Sequence, residues 1–352
     1  MNISKHIKKL SSALIVALIT GFAFTSCSTI FDYEGDCSYT YNIKFVYDKN
    51  MLYADAFRGN VSHVSLYAFD AETGLLAYYA TESGDALKAE GYTMPLEVTP
   101  GTYDLLAWCG SAVENNKVIV PEVEVGKTTI ETIDCFIDRV VTGEHSSCVL
   151  ENMGSLYHGK ERVTLTDDEG KHVHVVNLTK NTNKVNIILQ HLSGIDVNPD
   201  LFTFRIEDNN GHMDYENNIV ADDSITYHPW SVRAGLAGID ANIRDTLTRS
   251  TITSISVAVA EFTVGRLMTD NEPMLSIYNV EENKRILSIP LVDYALLVKS
   301  ADTEGREMSN QEYLDRQDGY SMTFFLDEHG DWASARILIN SWLVVNHTVG
   351  LE

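Results

Sequence analysis

The chain has 352 residues with 50 acidic against 26 basic side chains, a formal net charge of −24. A surface this acidic repels phosphate backbones and anionic headgroups, which excludes nucleic acid as a partner and membrane binding through a basic patch. With 44% hydrophobic residues and a length beyond what one core usually organises, the chain is expected to form two domains.

In chain order, the first element is a targeting signal. Lys5, Lys8 and Lys9 form a positive start, residues 13–24 an apolar run, and Thr25-Ser26 a small-residue approach to Cys27. The run is shorter than the about 20 apolar residues of a transmembrane helix. The pattern predicts a lipoprotein signal over residues 1–26 and a mature chain that begins at a lipidated Cys27. Phe24 stands where leucine is usual, three residues before the cysteine, so an ordinary secretory signal is the competing reading; both export the chain. Residues 1–26 hold three of the 26 basic residues and no acids, so the mature chain carries 23 basic and 50 acidic side chains, a charge of −27. Membrane attachment then falls to the lipid.

Cys37, Cys109, Cys135 and Cys148 remain after Cys27. An exported compartment permits bridges, and four cysteines allow three pairings that spacing cannot choose between. The four are candidates for one or two disulfides, with buried thiols as the alternative. Their spacings of 72, 26 and 13 residues match no zinc knuckle.

From Tyr41 the pattern has period two: Tyr41, Ile43, Phe45 and Tyr47 share one face. The same alternation predicts strands at 61–69 and 75–80, joined by a hairpin turn at Ala71-Glu72-Thr73-Gly74. Another follows Thr99-Pro100-Gly101, at 102–108. Past Leu150 a second series is predicted at 173–178, 185–191, 201–206, 252–260, 274–280, 321–326 and 336–345. Hairpin turns are expected at Asp208-Asn209-Asn210-Gly211 and at 327–331. Only 290–299 and 310–316 read as short helices. Short strands at roughly ten-residue spacing predict an all-β fold of two sandwich domains, 27–160 and 161–352.

Chemistry-bearing groupings are sparse. Asp48, Asn50 and Asp55 could offer oxygens to calcium, but their spacing lacks an EF-hand's regularity and fits turn closure better. His172 and His174 form an HxH pair without a third ligand, and the paired acids Asp222-Asp223 and Asp327-Glu328 read as solvated surface. No GxSxG, HExxH, Walker loop or GxGxxG follows a strand, so neither an enzyme nor a cofactor is expected.

Several motifs are family-specific. Ile43-Lys44-Phe45-Val46-Tyr47-Asp48 after Cys37, Leu66-Tyr67-Ala68-Phe69-Asp70, and Pro100-Gly101-Thr102-Tyr103 leading to Ala107-Trp108-Cys109-Gly110 resemble the N-terminal domain of the FimB/Mfa-type fimbrial anchor lipoproteins of Bacteroidia. Leu156-Tyr157-His158-Gly159, Val176-Asn177-Leu178-Thr179-Lys180 and Ile337-Leu338-Ile339-Asn340-Ser341-Trp342 are similar to its second domain. The resemblance implies two tandem transthyretin-like β-sandwiches after a cleaved signal, a lipid such as palmitate on Cys27, and a place at the fimbrial base in the outer membrane. It also implies pilin subunits as partners, bound by donated strands. Short Asp-Ser/Thr-aliphatic stretches, Asp223-Ser224-Ile225 and Asp245-Thr246-Leu247, resemble O-glycosylation sites of these bacteria.

Residues 335–349 are the candidate segment for such an exchange, with Ile337 and Ile339 alternating against Leu338, Trp342 and Val344. The competing reading is a central strand of the chain's own second domain. A minor subunit or tip adhesin carried on the fibre is the alternative to a basal anchor, and Arg58 is one residue an arginine-specific protease could use. A glycan-binding surface lipoprotein is a further alternative, with Trp230 and Trp332 beside turns as stacking candidates and Trp108 and Trp342 assigned to strands.

Overall fold

The computed structural model describes residues 38–111, 118–142, 146–238 and 254–345, and the period-two stretches within them fold as strands. The signal segment 1–26, Cys27, Cys37 and the Asp245-Thr246-Leu247 stretch lie outside the described residues. Two compact units divide the chain, Met1–Thr40 with Asp167–His172, and Tyr41–Thr166 with Val173–Glu352. In the first, the Gly170 N–H donates to Ser38 O at 3.2 Å and the His172 ring meets the Asp168 carbonyl at 2.8 Å.

The strands of the first half are β1 (Tyr39–Val46), β2 (His63–Asp70), β3 (Leu76–Ser83), β4 (Met94–Leu96), β5 (Gly101–Gly110), β6 (Val118–Ile119), β7 (Cys135–Ile137), β8 (Val140–Thr142), β9 (Ser146–Val149), β10 (Leu156–Leu165), β11 (Gly170–Asn177) and β12 (Thr179–Lys180). Those of the second half are β13 (Thr182–His191), β14 (Phe202–Asp208), β15 (His212–Met213), β16 (Ile225–Tyr227), β17 (Ser231–Gly238), β18 (Ser254–Gly265), β19 (Met274–Asn279), β20 (Lys284–Pro290), β21 (Gly319–Leu326), β22 (Trp332–Ile339) and β23 (Trp342–Val345). The short helices are α1 (Phe57–Asn60), α2 (Leu291–Leu296), α3 (Lys299–Asp302) and α4 (Asn310–Arg316). The fold is all-β.

The second unit contains two β-sandwich cores. In one, the sheet β11–β1–β4 packs Ile43, Phe45, Met94 and Val176 against Leu66, Leu105, Ala107 and Tyr157 of the sheet β12–β10–β5–β2–β3. In the other, the six-stranded sheet β17–β18–β13–β21–β22–β23 packs Ile187, Ala260, Phe324 and Ile337 against Phe204, Ile277, Tyr227 and Ile289 of β20–β19–β14–β16–β9–β8. Each fully buried Ile, Leu or Phe contributes about 1.5–3 kcal/mol, which makes these two interiors the main source of stability. The five-stranded sheet is covered on both faces. Leu66 and Ala68 of β2 enter the first core, while Tyr67 and Phe69 join Leu106 and Trp108 in the second cluster. That is why β2 reads as an almost unbroken apolar run.

Gly159 explains part of the Leu156-Tyr157-His158-Gly159 motif. A Cβ there would stand 2.6 Å from Val176 Cγ1 and 2.8 Å from the Asn177 carbonyl oxygen, so only glycine lets these segments approach. Helix α4 begins where predicted, because Ser309 Oγ accepts the Glu312 N–H at 3.0 Å as an N-cap.

Two predicted elements differ. Asp208-Asn209-Asn210-Gly211 is not a hairpin turn: β14 pairs with β16 and β19, and the chain leaves it to place β15 against β7. None of the four residues has positive φ. Asn210 is buried instead, donating to Arg266 O at 3.1 Å and accepting from the Tyr227 hydroxyl at 2.6 Å. Residues 336–345 form two strands rather than one, because Asn340 takes φ +53° and turns β22 back into β23, with Ile339 opposite Trp342. Asn340 also clamps Ser321 in both directions, at 2.7 and 3.1 Å, fixing that turn on β21.

Candidate subunit-binding site

The residues predicted for strand exchange fall on the β22–β23 hairpin. Ile337 and Ile339 are fully buried in the chain's own second core, paired with Phe324 and Met322 of β21. Val344 packs at the margin of that core. Trp342 is 47% exposed, and its indole N–H donates to Asp302 Oδ1 at 2.8 Å. The structure thus separates the set: two core residues, one marginal residue and one surface aromatic on the terminal strand of the sheet.

The opposite edge of the same sheet has the stronger character of a docking edge, and its strand was absent from the sequence-predicted set. β17 pairs with β18 from Ser231↔Glu261 to Gly238↔Ser254, and among the described residues no strand pairs with its outer side. Val232, Ala234 and Leu236 lie across from Ala260, Ala258 and Ser256, yet Val232 is 43% and Leu236 78% exposed. β17 therefore overhangs the sandwich with apolar side chains uncovered. Sheet edges are normally blunted with charge, proline or brevity. β17 has eight residues and one charge, Arg233, whose Nε lies 3.5 Å from Glu261 Oε2.

The face of the sheet turned away from the core continues this edge. Alternation sends Ile188 of β13, Val257 and Val259 of β18, Phe325 of β21 and Leu338 of β22 to that face, where they share a cavity of about 480 Å³ with the polar Asn186, Gln190, Glu261, Ser321 and Thr323 and with Arg233, Gly235 and Leu236 of β17. Gly235 is part of the shape, since a Cβ there would meet Val259 Cγ2 at 2.9 Å. Unpaired backbone groups beside apolar side chains suit an added strand, which takes main-chain bonds from the edge and inserts side chains in the groove. The signal in sequence was Ser231-Val232-Arg233-Ala234-Gly235-Leu236-Ala237-Gly238, which two glycines and two alanines kept from reading as a strand.

Other predicted groups have structural duties. Asn50 donates to Tyr47 O and Ala54 O at 2.9 and 2.8 Å, and Asp55 Oδ1 accepts the Tyr47 and Phe57 N–H groups at 3.1 Å, so both close turns. Asp222 pairs with Arg139, and Asp327 accepts the His329 and Asp331 N–H groups at 2.8 and 3.0 Å. Arg58 is exposed, its Nε donating to Lys88 O at 2.9 Å. Trp332 packs edge-on against Phe324 with its ring nitrogen buried, and Trp230 is 42% exposed. Cys109 belongs to the first core and Cys135 to the second. Both are free thiols, no bridge joins them, and burial raises both pKa values. Cys148 is buried on β9.

Two β-sandwich cores, with an edge strand that no described strand pairs and a cavity beside it, define the class of protein, an all-β double sandwich. Within it, the family model of the fimbrillin-A associated anchor proteins Mfa1 and Mfa2 matches residues 33–348, and the chain belongs to that family, with a fimbria-associated role at the cell surface. The minor fimbrium anchoring subunit Mfa2 of Porphyromonas gingivalis is 23% identical over 301 residues, covering 83% of each chain. Two Bacteroides thetaiotaomicron crystal structures are similar throughout. One, described as a candidate adhesin, has 29% identity and a TM-score of 0.74 over 87% of this chain and 97% of its own. The other, described as a candidate polysaccharide-binding protein, has 26% identity and a TM-score of 0.73 over 88% and 99%.

Proposed function

We propose that this protein is a non-catalytic fimbrial anchor: Cys27 carries lipid in the outer membrane, and an extended segment of a fimbrial subunit of the same system adds to the β17 edge. The observation that carries the reading is that edge, eight residues long, with Val232 and Leu236 exposed and with Arg233, Gly235 and Leu236 bordering the cavity on the outer sheet face. The relative named as an anchoring subunit and the signal pattern before Cys27 support the membrane end. A charge of −27 on the mature chain leaves the lipid as the tether. The outward carbonyl and N–H groups of β17 supply the main-chain half of recognition, while Val232 and Leu236 supply the apolar half.

The test joins two variants. Cys27→Ala is expected to abolish acyl labelling and release the protein and its fibres from the membrane fraction. Leu236→Lys is expected to leave the protein membrane-bound and folded but to abolish co-purification of the fimbrial subunit. Unchanged acylation in the first overturns the tether, and unchanged co-purification in the second overturns the docking edge. Fibre-associated protein that has lost the acyl group would favour the minor-subunit or tip reading.

A further inference from the structure

A second cavity, of about 940 Å³, lies on the face of the five-stranded sheet that points away from the first core. Its volume sits in the ~300–1,000 Å³ range of small-molecule sites. The floor comes from β3, β2, β5 and β10, where register places Tyr79 beside Tyr67, Ser65 beside Trp108, and Ser83 beside His63. The wall is the apolar stretch Val118-Ile119-Val120-Pro121, followed by Glu122.

The floor is unusual in joining aromatic rings to a row of hydroxyls. Tyr79 is 40% exposed and stacks on buried Tyr67 with ring centroids 4.9 Å apart and planes 28° apart. The ring of Tyr67 thus braces a platform whose other face can receive a ligand. His63 bridges Ser83 Oγ at 2.7 Å and Ser65 Oγ at 3.1 Å, which holds the imidazole and both hydroxyls in fixed orientations. Burial lowers the His63 pKa, which favours the neutral ring, and its two nitrogens are taken up by Ser83 and Ser65. Ser62, Ser111 and Ser155 add further hydroxyls to the lining. Trp108 is 2% exposed, and its indole N–H is buried without an acceptor.

We propose that this cavity binds a neutral saccharide, with a sugar ring stacked on Tyr79 and ring hydroxyls exchanging hydrogen bonds with the serine row. A peptide suits it less well. The central floor strands are fully paired, β2 to β3 and β5, and β5 to β2 and β10, so an extended chain finds free main-chain groups only at the β3 and β6 edges. A saccharide needs none, since its polar groups are hydroxyls that match hydroxyls. Anionic glycans are disfavoured by Glu122 at the wall and by the chain's −24 charge.

The test is calorimetric titration of the purified full-length protein with cellohexaose, maltohexaose, mannohexaose and xylohexaose as neutral probes and oligogalacturonate as the anionic one. At least one neutral probe is expected to bind and oligogalacturonate not to. Tyr79→Ala, at a part-exposed position that tolerates truncation, is expected to weaken binding about tenfold. Absence of binding to every neutral probe up to ~10 mM overturns the proposal. Binding of oligogalacturonate alone, or neutral binding unmoved by Tyr79→Ala, overturns it as well. Loss of fimbrial-subunit capture in Tyr79→Ala without saccharide binding would reassign the cavity to protein contact.

Discussion

Arg266 grips Asp315 through two hydrogen bonds, Nε to Oδ1 and Nη2 to Oδ2, each 2.8 Å. Lys49, in the loop after β1, adds its ammonium at 2.8 Å, and Gln311 of α4 donates to Oδ1 at 2.9 Å. Residues flanking both cores therefore converge on one buried carboxylate, which ties the first sandwich to α4 beside the second. Removing one partner of a buried pair leaves an uncompensated charge, at about 3–5 kcal/mol. Arg266→Ala is expected to lower the unfolding free energy by that order in urea titrations, and Lys49→Ala, whose partly exposed ammonium is screened by solvent, by about 1 kcal/mol or less.

Burial pushes the Asp315 carboxyl up, but Arg266 and Lys49 outweigh it and hold it below the ordinary carboxylate range. A depressed folded-state pKa contributes stability that is present above the unfolded-state value and lost as pH falls through the folded one. Wild type is expected to keep this contribution at mildly acidic pH. Arg266→Ala should narrow its stability gap from wild type as the pH falls through the carboxylate range, measured by thermal midpoints across an acid series.

Asp208 behaves in the opposite sense. Burial raises its pKa to about 6, partly offset by the Asn209 N–H at 2.8 Å and Asn271 at 3.2 Å, and Oδ2 has no partner. A carboxyl raised in the folded state binds more protons there than when unfolded, so stability falls as pH rises from about 4 to 6. Asp208→Asn is expected to stabilise the protein at pH 7.5 by about 1–2 kcal/mol and to show no benefit near pH 4. A gain that does not vary with pH would show that packing, not charge, is responsible.

Strands governed by side-chain alternation were legible in the sequence. β1, β2, β5 and β13 announce themselves because one or both faces are packed by Ile, Leu, Phe and Tyr, and α4 because Ser309 and Glu312 form a recognisable cap. The docking edge was hidden. Among the described residues no strand pairs with the outer side of β17, and Gly235 and Ala234 weaken its strand signal. Asn209-Asn210 misled because asparagine serves left-handed turns and buried polar networks alike, and only the Tyr227 hydroxyl and the Arg266 carbonyl around Asn210 distinguish them. The saccharide cavity was illegible because Tyr79, Trp108 and His63 come from three strands joined only by register.

The β22–β23 hairpin offers a clean contrast. Ile337 is fully buried, so Ile337→Ala is expected to cost about 2–4 kcal/mol in chemical denaturation. Trp342, half exposed and held by one hydrogen bond to Asp302, should cost about 1 kcal/mol on replacement by Phe. If the hairpin were released for donation to another subunit, adding fimbrial subunits would expose the β22 amides. They are expected instead to keep their protection from hydrogen exchange.

The same exchange experiment addresses β17 directly. In an antiparallel edge strand, N–H groups alternate between bonds to the neighbour and the open side, so about half of the β17 amides are expected to exchange quickly in the free protein. Strand addition by a fimbrial subunit would give those amides partners, and protection should rise across Ser231–Gly238 while β23 stays unchanged. Leu236→Lys should remove the gain without altering exchange in β13 or β21, because its side chain is 78% exposed and contributes little to the fold. Protection gained at β23 rather than β17 would move the docking edge to the other side of the sheet, where Trp342 and Leu343 are the exposed apolar residues.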